Sequence, residues 1–214
     1  MEGGNDEAEF TEQGGLMPLV RLGQKLVFFA HIPKTGGSSL EDWLSAAGRV
    51  ALRHNSAIEG MHCPPQHMHA ALFEPLFKNG FLDASFAVLR DPTARLVSEY
   101  RYRRGQVERR GKREMPSFER WAERAFRLYE DNPYFLDNHI RPQAEFVGDG
   151  MKLFRLEDGL EAVTDWLQEL SGVEGPELTH KLQSTGEAVG VSVAMQVTIR
   201  KFYAADFELL DSLT

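Results

Sequence analysis

The segment His31-Ile32-Pro33-Lys34-Thr35-Gly36-Gly37-Ser38-Ser39 concentrates anion-binding chemistry. A loop that enters a helix presents several backbone N–H groups, and the helix dipole adds partial positive charge at the same point. Gly36 and Gly37 let the backbone approach a phosphate closely. Thr35, Ser38 and Ser39 supply hydroxyl donors, Lys34 supplies a full charge, and Pro33 marks the turn. The order of residues departs from a Walker A loop, in which Lys follows the last glycine and precedes Ser or Thr. Lys34 precedes the glycine pair, so it would reach a phosphate from the opposite end of the loop.

Two further groups have chemistry of their own. Arg90-Asp91-Pro92 is followed by Ser98, eight residues after Arg90. An Arg fork binds phosphate strongly, and a Ser two turns along a helix reaches the same ligand if the strand end bends toward it. Taken alone, this segment reads rather as a helix entrance that Asp91 caps, with Arg90 paired to a surface acid. His67-Met68-His69 lies between the two anion motifs. An imidazole there can take a proton from a hydroxyl near neutral pH.

These groups need elements to hold them. Lys25–Ala30 (KLVFFA), Ala84–Leu89 (ASFAVL) and Met151–Leu156 (MKLFRL) read as buried strands, and Arg49–His54 as a weaker one. A helix capped by Ser38 or Ser39 runs to Ala47, where Gly48 stops it. Asp91 and Pro92 open a helix over 93–104. Ser117–Glu130 reads as an amphipathic helix, with Phe118, Trp121, Phe126 and Tyr129 available for its inner face. Asp158 caps a helix ending at Gly172, and a last helix carries Phe202, Phe207 and Leu210. Residues 67–78 begin helically and are interrupted by Pro75. Strands alternating with helices indicate a single-domain, three-layer α/β fold with a mainly parallel sheet. Residues 1–23 read as a flexible acidic tail and 24–214 as the domain. Met1–Gly15 holds five acidic residues, four glycines and no Lys or Arg.

The chain of 214 residues is 42% hydrophobic and 26% charged, the composition of an ordinary globular domain. Its net charge of -8 argues against a general nucleic-acid binder. A single cysteine, Cys63, excludes an internal disulfide and suggests a reducing compartment. With no secretory signal pattern and no apolar run of membrane-spanning length, the expectation is a cytoplasmic protein without a membrane span. Oligomeric state is not legible.

HIPKTGGSSL together with FAVLRDPTARLVSEY resembles the carbohydrate sulfotransferases that use 3'-phosphoadenosine 5'-phosphosulfate (PAPS), particularly the group that includes heparan 2-O- and chondroitin sulfotransferases. The resemblance covers roughly residues 25 to 210. It implies a nucleoside-kinase-like, P-loop-like sulfotransferase fold. It implies that PAPS is the co-substrate and adenosine 3',5'-bisphosphate the product. Residues Lys34 to Ser39, with Pro33 before them, would hold the 5'-phosphosulfate, and Arg90 and Ser98 the 3'-phosphate. His67-Met68-His69 resembles the His-Gly-His element of the heparan 2-O-sulfotransferases, whose second His is the base. That match makes His69 the base and His67 its support, with Met68 in place of the family's Gly. The acceptor it implies is a hydroxyl of a carbohydrate or glycoconjugate. Lys34 would then neutralise charge on the leaving phosphate.

Other readings stay open at this level. One is a P-loop-type nucleotide kinase or NTPase, with Asp91 as a magnesium ligand. Another is a non-catalytic nucleotide-binding protein. His62, Cys63, His67 and His69 fall within eight residues but follow no common zinc spacing, and sulfuryl transfer needs no metal. The run Arg101, Arg103, Arg104, Arg109, Arg110, Lys112 and Arg113 is either a solvated, partly paired helix end or a landing strip for an anionic glycan. Tyr134, Asn138, His139, Arg141 and Gln143 could line an acceptor groove. Lys181 could contact the nucleotide.

Overall fold

The computed structural model describes residues 18–52, 58–111, 114–179 and 188–213. Five strands, β1 (Leu19–Leu22), β2 (Lys25–Ala30), β3 (Arg49–Ala51), β4 (Ala84–Leu89) and β5 (Lys152–Arg155), form one sheet in the order β3-β1-β2-β4-β5. The helices are α1 (Gly37–Ala47), α2 (Ala70–Phe73), α3 (Pro92–Arg109), α4 (Phe118–Asp131), α5 (Glu161–Ser171), α6 (Val193–Phe202) and α7 (Ala204–Asp211). β4 pairs parallel with both β2 and β5. β1 is antiparallel to β2 and to β3. β3 therefore runs with β2, and β1 alone is reversed, so the sheet is mainly parallel, as expected.

Both faces of the sheet are covered, which is why β2 and β4 read as continuous apolar runs rather than alternating ones. Val27, Phe29, Phe86 and Val88 pack against Leu40, Trp43 and Leu44 of α1 and Val163 and Leu167 of α5. Phe28, Ala30, Ala87 and Leu89 face Met68, Phe73, Phe146 and Leu210 on the other side. These are the three layers. A third cluster joins α3, α4 and α6 through Leu96, Tyr100, Phe118, Phe126, Met195 and Ile199. It braces α3, which leaves the sheet at the functional edge.

The structure corrects several local expectations. Residues 18–23 do not belong to a tail: Leu19–Leu22 is a sheet strand, with Val20 and Leu22 buried. Leu22 pairs directly with Lys25 across Gly23-Gln24, and Gly23 takes φ +55, so the two strands form a tight hairpin. The rest of the expected tail, residues 1–17, lies outside the described residues. Helix α1 is not capped by Ser38 or Ser39; its N-cap is Gly36. Asp158 sits in a short 3-10 turn, and α5 begins at Glu161 behind Leu160 without a side-chain cap. The last helical region breaks at Tyr203 into α6 and α7. By contrast, Asp91 does cap α3, accepting a hydrogen bond from Ala94 N at 2.8 Å, and Gly48 and Gly172 end α1 and α5.

Candidate active site

The loop after β2 and the residue after β4 emerge side by side at the carboxyl edge of the parallel strands, where ligands bind in open α/β sheets. Lys34 takes a left-handed backbone (φ +71), and so does Gly36 (φ +86). Left-handed residues in such a loop turn successive N–H groups into one anion-binding concavity. A lysine in that region costs on the order of 1 kcal/mol. Gly36 has no side chain with which to cap α1, and the first turn of α1 thus has neither a side-chain cap nor an acidic residue of its own. Thr35 is buried, and its hydroxyl donates to Ile32 O at 2.9 Å, closing the turn instead of pointing outward. Ser38 is exposed and Ser39 buried.

Arg90 reaches back to this loop. Its Nη1 donates to Lys34 O at 3.1 Å. Gln143 fixes the Arg90 backbone from both sides: Arg90 N donates to Gln143 Oε1 at 2.9 Å, and Gln143 Nε2 donates to Arg90 O at 2.8 Å. Ser98 stands half-buried on α3, two turns along. Lys34 and Arg90, distant in sequence, are thereby brought to one edge.

The Lys34 ammonium lies 4.3 Å from the centre of the Tyr102 ring on α3, a cation–π arrangement that holds it in place. Burial pulls Lys34 below the ordinary lysine range; Glu99 acts the other way, and Arg90 and Arg103 add to the depression.

Three histidines line up beneath this loop. His31 packs under Gly37, with Nδ1 2.8 Å from Glu41 Oε1. Its ring lies 5.4 Å from that of His67, which lies 4.8 Å from that of His139. Both nitrogens of His67 have partners: Nδ1 faces Asp137 O at 3.0 Å and Nε2 faces Gln66 Nε2 at 2.9 Å. Burial holds His67 well below the usual histidine range, helped by His139 and His31. His69 is also buried. Its ring neighbour is Tyr134 at 5.8 Å, and burial, then Arg141, lower it to about 4. Cys63 is buried and donates to His67 O at 3.7 Å, and burial raises its thiol to about 11.

Sequence reasoning missed Glu99 and Tyr102 as candidate site residues; in the 134–143 stretch Tyr134 and His139 stay half-buried. Asn138, Arg141 and Gln143 are buried and hold the chain instead of lining an open groove. Asn138 Nδ2 donates to His67 O at 2.8 Å, and the fully buried Arg95 on α3 donates to His139 O and Arg141 O. Part of the basic run is paired, Arg103 with Glu99 and Arg104 with Glu108. Lys112, Arg113 and Lys181 lie outside the described residues. The available signal was Glu99 and Tyr102 at one and four residues past Ser98, on the turns of α3 that carry the second anion motif.

Residues 18–211 match the model of a family described as the sulfotransferase family. The chain belongs to that family. Sulfotransferases move sulfuryl groups, and the family generally uses PAPS as donor. No curated protein and no solved structure matches the chain. Among the described residues of this sulfotransferase, no helix is long and apolar enough to cross a membrane.

Proposed function

We propose that this sulfotransferase moves a sulfuryl group from PAPS to a hydroxyl of a carbohydrate acceptor, by in-line displacement with a histidine as base. The observation that carries the reading is the joining of two anion-binding groups at one edge, with Arg90 Nη1 on Lys34 O and the left-handed Lys34 and Gly36 opening an uncapped α1. A donor with phosphates at both its 3' and 5' positions suits this pair of groups. Pro33, Lys34, Thr35, Gly36, Gly37, Ser38 and Ser39 would surround the 5'-phosphosulfate. Arg90 and Ser98 would take the 3'-phosphate.

The acceptor oxygen forms a bond to sulfur while the bond from sulfur to the 5'-phosphate oxygen breaks. The electron pair of that bond leaves with adenosine 3',5'-bisphosphate. Charge grows on the leaving oxygen, and fixed cations and backbone donors at that position lower the barrier. Lys34 is the cation held at the loop for this. The resemblance names His69 as the base, with His67 in support. A carbohydrate acceptor rests on the resemblance, and the exposed Arg109 and Arg110 at the end of α3 suit an anionic one.

The test is transfer of label from 35S-PAPS to desulfated heparin, chondroitin and simple aryl glycosides. Labelled glycan, lost in Lys34→Ala, supports the reading. Labelled phenol or amine in place of glycan overturns the carbohydrate acceptor, and donor turnover with ATP and magnesium in place of PAPS overturns the whole reading.

A further inference from the structure

The third imidazole beneath the loop, His139, has the geometry that a hydroxyl-activating base needs. Its Nδ1 lies 2.7 Å from Glu99 Oε2. Glu99 is a carboxylate, so Nδ1–H donates to it, and Nε2 is the nitrogen left to face a substrate. No described residue bonds that Nε2, and the side chain retains 13% of its surface. His67 differs on both counts, because Asp137 O and the Gln66 amide occupy its two nitrogens.

Position supports the same residue. Tyr102 holds Lys34 against its face and stacks on His139, ring centres 6.2 Å apart and 13° from parallel. Lys34 and His139 therefore share one aromatic neighbour. The backbone that delivers His139 is unusual: Leu136, Asp137 and Asn138 take φ of +57, +55 and +67 in succession. Three consecutive left-handed non-glycine residues cost about 1–2 kcal/mol each. The neighbourhood enforces them through Arg95 on the carbonyls of His139 and Arg141, Tyr203 on Ile140 O, and Asn138 on His67 O. Backbone strain that is over-determined in this way collects at functional sites.

From this arrangement we infer that His139 is the catalytic base and Glu99 its positioning residue, the role the resemblance gives to His69. His139 Nε2 takes the acceptor hydroxyl proton as the new oxygen–sulfur bond forms. The bisphosphate leaves with the electron pair, and Glu99 stabilises the imidazolium until it returns its proton to water. Burial alone would raise Glu99, but His139 and Arg103 outweigh it and hold the carboxyl at about 2, so it stays ionised for this purpose. The charged and titratable groups facing His139 are Glu99, Arg103, Tyr102 and the buried Arg95 on α3, and His67 from the neighbouring turn, with Lys34 beyond Tyr102.

The inference rests on the sulfuryl-transfer reading, so wild-type binding of adenosine 3',5'-bisphosphate is measured first; no binding sinks that reading and this one with it. With binding in hand, His139→Asn should lower 35S-PAPS turnover by about 100-fold or more while its bisphosphate Kd stays within about 3-fold of wild type. Turnover within about 3-fold of wild type overturns the assignment. In Glu99→Gln the acid limb of kcat should move to lower pH, because no carboxylate stabilises the imidazolium; Glu99→Asp should restore it in part. A purely structural Glu99 would lower the plateau and leave the limb in place. A measurement independent of the acceptor completes the test. Diethyl pyrocarbonate should modify His139 of the intact wild-type chain, read by mass spectrometry, and saturating bisphosphate should slow that reaction about 10-fold. Modification at an unchanged rate places His139 outside the donor site and overturns the inference.

Discussion

Gly37→Ala is the smallest perturbation that reaches the loop. A Cβ built on Gly37 falls within 2.8 Å of three atoms of the His31 ring, Nε2, Cδ2 and Cε1. Ordinary contact between such atoms is about 3.5 Å or more, so with Nε2 at 2.0 Å the ring or the loop must shift by about 1.5 Å. The ring has little freedom. Its Nδ1 sits 2.8 Å from Glu41 Oε1, it stacks on Phe29 with centres 5.4 Å apart, and His67 lies edge-on to it. Over-packing of this kind costs about 1–3 kcal/mol. A shift of about 1 Å in a positioning group costs about 100-fold in rate. Gly37→Ala should therefore lower the melting temperature by several degrees and weaken bisphosphate binding by at least about 10-fold. Calorimetry and thermal unfolding read both. Gly190→Ala, where a Cβ meets nothing within 4 Å, is the control and should match wild type. If Gly37→Ala binds and unfolds like wild type, the close approach of loop and His31 is not what shapes the site.

Two pH dependences follow. Because burial depresses Lys34, bisphosphate affinity should begin to fall with rising pH below the ordinary lysine value of 10.5, and Lys34→Ala should lose that limb; calorimetry over an alkaline pH series reads it, and equal slopes in both proteins would contradict it. Glu99 is held at about 2 against an ordinary 4.5. Its lowered folded-state value means the stabilisation is present above about 4.5 and is lost as pH falls toward 2, on the order of 3 kcal/mol in all. Urea unfolding across that window should show a flatter pH dependence for Glu99→Gln, and an unchanged slope would refute the attribution.

The parts of the fold that were legible are those whose signal is local. KLVFFA and ASFAVL are short apolar runs between turn residues, and HIPKTGGSS announces its loop through glycine and charge. β1 escaped notice because four residues, LVRL, follow an acidic stretch; the Gly23-Gln24 hairpin behind them was the available clue. Ser38 and Ser39 satisfy a capping propensity, but the glycine loop places Gly36 at the N-cap instead. The site was half legible. Lys34, Gly36, Gly37 and Arg90 sit inside motifs, whereas His139 and Glu99 are 40 residues apart and His67 and Asp137 are 70 apart. No periodicity encodes such pairs. They exist because Arg95, Asn138 and Gln143, spent on backbone groups, fold the 136–143 segment onto α3 and β4.

The central claim is that one donor bridges the α1 loop and Arg90, and calorimetry with adenosine 3',5'-bisphosphate against 5'-AMP tests it most directly. Wild type should bind the bisphosphate about 100-fold or more tighter than 5'-AMP, since an Arg fork on phosphate is a strong charge-assisted pair, and Arg90→Ala should erase most of that ratio while leaving 5'-AMP binding nearly unchanged. Equal affinity for the two nucleotides in wild type, or an undiminished ratio in Arg90→Ala, would contradict it.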